Sequence, residues 1–146
     1  MSRNLAGLAA VTAVVLAEHG ESLDVCGVDV RAYPQPTTGA DVSMQVASRR
    51  DWAADLAGVA RAAVALGFDF VRFFPEDGYV RVVTVGEIST SAGTARVEVW
   101  DHLNGADVGR AERVLGITLD RDVDPVFVAV SDVTRRLAVM AVGRVA

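Results

Sequence analysis

The chain has 146 residues, 51% of them hydrophobic and 23% charged, enough apolar material to bury one core and too much for a disordered segment. Its net charge of −5, from 19 acidic against 14 basic residues, works against loose, counterion-driven attachment to nucleic acid or an anionic membrane. Every basic residue is arginine and none is lysine, which, with abundant Ala, Val, Gly and Asp, matches GC-rich coding and points to a bacterial or bacteriophage source.

Ser2 is the expected cap of a first helix over 3–18, whose positions Leu5, Leu8, Ala9, Thr12, Val15 and Leu16 recur at helical spacing, with Gly20 as its stop. Glu18-His19-Gly20 reads as a helix terminus rather than the end of a secretory leader, and no apolar run reaches the roughly 18–20 residues of a membrane span. Cys26 is the only cysteine, so it closes no internal disulfide and suggests a reduced, cytoplasmic setting. Val28, Val30 and Ala32 form an expected strand ended by Tyr33-Pro34-Gln35-Pro36, and Val42, Met44 and Val46 alternate as a second.

Ser48-Arg49-Arg50-Asp51 resembles a capping box before a helix over 49–66, with Trp52, Leu56, Val59, Ala60, Ala63 and Leu66 in one stripe and Gly67 as its stop. A meander follows: 68–74, a turn at Pro75-Glu76-Asp77-Gly78, 79–87, a looser turn at 89–93, and a strand from Thr94 to about Asp101. A short helix over 106–115 and a strand at 126–130 come next. Arg136–Val142 reads as a returning strand, with a helix capped by Asp132 as the alternative. These elements make one α+β domain over 1–146, a mainly antiparallel sheet of five to seven strands with the long helix packed on a face and two further helices.

A four-residue loop at 75–78 would set Arg72 opposite Arg81 and Phe70 opposite Val83. Pairing Val83 with Val99 would then bring Asp101 beside Arg81, as the anion that two facing arginines need. In that register Phe73, Val82, Arg96, Trp100 and His102 share the other face, half apolar and half charged. A shift of one residue at the second turn would exchange the faces of the third strand.

Gly67-Phe68-Asp69-Phe70-Val71-Arg72-Phe73 resembles the aromatic octapeptide of RNA-recognition motifs, but Leu66 and Asp69 replace its basic and small residues and the strand order differs. An ordinary alternating strand accounts for it. Asp120, Asp122 and Asp124 have the opening spacing of a calcium loop, yet Pro125 stands where that loop needs Gly and Ser131 where it needs Glu. Asp101-His102 are strand neighbours on opposite faces rather than a ready dyad. Arg49-Arg50 and Arg135-Arg136 are basic pairs of the kind that solvent normally holds.

With no phosphate loop, nucleophile elbow, zinc motif or cofactor signature, the expected function is non-enzymatic binding of a protein partner through Phe73, Val82, Arg96, Trp100 and His102. A small enzyme or ligand-binding protein using Arg72, Arg81, Asp101 and His102, and a self-assembling subunit, are the alternatives. No cofactor, metal, nucleic acid or membrane is expected.

Overall fold

The computed structural model describes residues 4–120 and 124–145, and for Arg144 and Val145 the backbone only. The first helix, α1 (Leu5–Leu23), is capped by the Asn4 side chain, which accepts from the Gly7 amide at 3.2 Å; the expected cap Ser2 lies outside the described residues. It continues through Gly20 to Asp24, which turns left-handed at φ 47°. A helical glycine costs about 1 kcal/mol, whereas burying a leucine contributes about 2. Fully buried Leu23 therefore extends the helix past the expected stop.

After α1 come β1 (Val25–Val30), β2 (Val42–Val46) and α2 (Trp52–Leu66). The helix α2 starts three residues later than expected, because Arg50 is left-handed at φ 57°. Asp51 is its cap, accepting from the Ala53 amide, while Ser48 and the Arg49 amide bind the Asp55 carboxylate at 3.2 and 2.7 Å. Trp52 and Leu56 are buried and Leu66 is partly so.

The meander is β3 (Phe70–Pro75), β4 (Tyr79–Thr90) and β5 (Gly93–Asn104), followed by α3 (Ala106–Leu115), β6 (Val126–Ala129) and α4 (Val130–Val145). The six strands are ordered β1-β2-β5-β4-β3-β6, with β2 parallel to β5 and every other pair antiparallel. Fold class is thus α+β, with four helices among the described residues rather than three. The chain leaves β2, crosses beneath β5 and β4 as α2, and re-enters the sheet at β3.

Arg136–Val142, expected as a strand, is helical. Val130, Val133, Leu137 and Met140 recur at three, four and three residues, and the first three are buried against the other helices. A two-residue period would have set Val133 and Leu137 on the face opposite Val130 and Met140, and their burial together decides for the helix.

All four helices share one core with a single face of the sheet, where Val42, Met44, Val71, Phe73, Val80, Val82, Val97 and Val99 lie. Gly86 belongs to this face because the Phe68 ring occupies the space a Cβ would need. The other face carries no helix among the described residues. Its smaller cluster is Phe74, Val83 and Val85, with Ala40 from the 31–41 loop and Trp100 packed against it.

Both turns differ from the expected register. Pro75 pairs with Val80 and Arg72 with Val83, a displacement of two that keeps the grouping of β3 and β4 residues by face. The face of Phe73 and Val82, expected as the contact surface, is however the one beneath the helices, and that of Phe70 and Val83, expected as the core face, is the other. At the second turn Thr90 pairs with Gly93 and Val83 with Trp100. That tight turn, in which Thr90 accepts from the Ala92 amide through its hydroxyl, moves β5 by one residue and exchanges its faces.

Candidate functional site

The exchange redistributes the residues expected to form one surface. Phe73 and Val82, at 0% and 1% exposure, lie beneath the helices, while Arg96, Trp100 and His102 lie on the helix-free face with Arg72 and Arg81. Asp101 points to the helix side, away from Arg81, so the expected Arg72–Arg81–Asp101 cluster does not form. Of the four residues Arg72, Arg81, Asp101 and His102, His102 pairs across the strands with Arg81 and has its Nδ1 3.6 Å from Asp101 Oδ1, while Arg72 stands on β3 opposite Val83.

The anion that Arg81 needs is Glu98. Its carboxylate is fully buried, and it accepts from Arg81 Nη2 at 2.6 Å, Ser43 Oγ at 2.8 Å and Thr38 Oγ1 at 2.6 Å. These donors supply the hydrogen bonds that solvent would otherwise give the carboxylate. The arrangement joins three strands and a loop: β2 supplies Ser43, β5 Glu98, β4 Arg81 and the 31–41 segment Thr38. Arg96 fastens the same segment, donating from Nε to the Thr38 carbonyl at 2.8 Å and from its amide to Asp41 at 3.1 Å.

Arg81 lies over the Trp100 indole at 5.0 Å, and His102 stands between Trp100 and Tyr79, with ring centroids 6.3 and 6.2 Å away. Beside them is a cleft of about 400 Å³ with Ser43, Gln45, Arg81 and Trp100 on its floor and Asp29 and Arg31 on its wall. Towards the other margin, Arg72 lies over the Phe127 ring at 4.7 Å, and Phe127 meets Phe70 at 6.4 Å. Loss of solvent, and then the neighbouring charge of Arg96, push the Arg72 guanidinium below its usual pKa.

Sequence reasoning placed Glu98 on the right strand as one charge among several. Its position between Val97 and Val99 marks it as a charge inside an apolar run, a sign of internal pairing. Ser43 and Thr38 carry no such sign, since only the parallel β2–β5 pairing brings them there. Phe70 and Phe127, both exposed on this face, likewise carry no such sign.

Asp101 is 2% exposed; its Oδ1 accepts the His102 amide at 2.8 Å, and its Oδ2 has no hydrogen-bond partner among the described residues. Burial raises its pKa, the His102 amide opposes that, and Asp55 adds to it. An acid with a raised folded pKa contributes stability that is whole below its unfolded value, near 3.8, and is lost as pH climbs through the folded value. Asp101→Asn cannot ionise. Its unfolding free energy should therefore gain on that of the wild type as pH rises from about 4 to about 8 in urea titrations, and parallel curves would show that Asp101 ionises freely.

For metals, the described residues hold no group of three or more His, Cys, Asp and Glu side chains fit to bind an ion, and Asp122 of the acidic triplet lies outside them. No described helix is long and apolar enough to cross a membrane. Comparison of the chain with protein-family models, with curated proteins and with solved structures finds no match.

Proposed function

We propose that the protein is a non-enzymatic binding protein, a cytoplasmic accessory factor of a GC-rich bacterium or its phage, whose helix-free sheet face is the contact surface for another protein. One observation carries this reading: four helices cover one face of the sheet, while the other presents Trp100, Arg81, Arg72, Phe70 and Phe127 to solvent in whole or in part. Large rings left out of a core forgo burial worth about 2 kcal/mol or more each. Aromatic and arginine side chains side by side are what interface centres favour. Beside Trp100, the open cleft has the size to receive a side chain of the partner.

Trp100 is the expected anchor, held upright by Arg81 and Val83. Trp100→Ala should weaken partner binding by about 2 kcal/mol or more, roughly thirtyfold, and cost less stability than truncation of a fully buried ring because the indole is only partly buried. Quantitative capture from host extract by wild-type and Trp100→Ala chains checks this. Proteins retained by the first and lost by the second support the reading; identical capture overturns it.

A further inference from the structure

Arg72 makes no hydrogen bond or ion pair with any described residue; its only close contact of note is the Phe127 ring. On the same face the Arg81 guanidinium has the Glu98 carboxylate and the Arg96 guanidinium the Thr38 carbonyl, whereas the Arg72 guanidinium, partly withdrawn from water, has neither kind of acceptor. Flanking it are two of the largest exposed rings, Phe70 at 48% and Phe127 at 53%. Together they form a cationic centre with apolar walls.

The second observation is backbone geometry. β6 is the last strand of the sheet, paired with β3 on one side only. The Val130 amide donates to the Asp69 carbonyl at 2.9 Å, and because bonding groups alternate along an antiparallel strand, Val126 and Val128 also face β3. The amides of Phe127 and Ala129 and the carbonyl of Phe127 therefore point outward along the edge, while the Ala129 carbonyl opens the hydrogen-bond ladder of α4. A free edge is a template for an added strand.

We infer that this margin accepts an extended acidic segment of the partner, its backbone paired with Phe127 and Ala129 and one carboxylate seated over Arg72 between the two phenyl rings. The inference rests on the helix-free face being the contact surface and adds the partner's chemistry. A strand laid on β6 has alternate side chains on that face, one strand spacing from Phe127 and within reach of a long arginine. A second copy of this chain fits less well. In a two-fold contact the same edge would offer Phe70, Arg72, Phe127 and Ala129 on that face, with no carboxylate for Arg72.

Peptide display on the immobilised full chain, with Arg72→Gln and Arg110→Gln chains in parallel, tests it. Sequences with Asp or Glu between β-branched or aromatic residues should be enriched on the wild type. A synthetic peptide of the enriched sequence should bind Arg72→Gln about tenfold or more weakly, and lose as much when its own acid becomes the amide. It should shift the backbone amide resonances of Phe127 and Ala129, and bind Arg110→Gln, altered on α3, as it binds the wild type. Enrichment without an acid, equal binding to Arg72→Gln, or no enrichment overturns the inference, as does a dimer of the free chain that Phe127→Ser dissociates. A partner seated on Trp100 alone would still be lost by Trp100→Ala and kept by Arg72→Gln, which separates failure here from failure of the contact surface.

Discussion

Glu98→Ala should lower the unfolding free energy by about 3–5 kcal/mol, because it strands a largely buried guanidinium and two hydroxyls without their acceptor. Arg81 is 15% exposed at its side chain and Glu98 not at all, so water cannot replace the lost carboxylate. The loss should exceed what the ion pair itself contributes. Replacing both partners by apolar residues of similar size, Glu98→Leu with Arg81→Met, removes the charges together and should recover most of the loss, leaving the unmet hydroxyls of Ser43 and Thr38. Denaturant titration of the single and double variants measures the difference. A single-variant loss below about 1 kcal/mol would mean that Glu98 is reached by solvent.

Phe73→Ala should cost about 3–5 kcal/mol through lost burial and the cavity left behind. Phe73 is 0% exposed and lies between Val82 of β4 and Val126 of β6, under the helix layer. On a contact surface the same change would weaken binding and leave stability nearly intact. The stability loss, read from urea unfolding, thus fixes on which side of the sheet the ring lies. Partner capture by the fraction that remains folded should be unchanged.

What the sequence revealed was local. The stripe Trp52, Leu56, Val59 and Ala63 names the buried face of α2, since residues three and four apart on a helix must face together. The alternation of Val80, Val82 and their neighbours likewise separates the two faces of β3 and β4, and a turn displaced by two residues leaves that separation intact. A displacement of one does not, and the tight Thr90–Gly93 turn moved Trp100 away from Phe73 and Asp101 away from Arg81. Strand pairings distant in sequence were illegible for a different reason. Ser43 reaches Glu98 only because β2 inserts beside β5 across the whole α2 crossover, and no nearby residue signals it. At the C-terminal end, counting Val130 with the preceding strand hid the spacing it shares with Val133 and Leu137, which reads as helix once it is included.

Covalent footprinting of the full chain in host extract, compared with the purified chain alone, tests the contact surface most directly. Carbene labelling should be suppressed at Trp100, Phe70 and Phe127 on the helix-free face and unchanged at Val139 and Val142, which are exposed on α4. Protection of Val139 and Val142 with Trp100 labelled as before, or no protection anywhere, would contradict it.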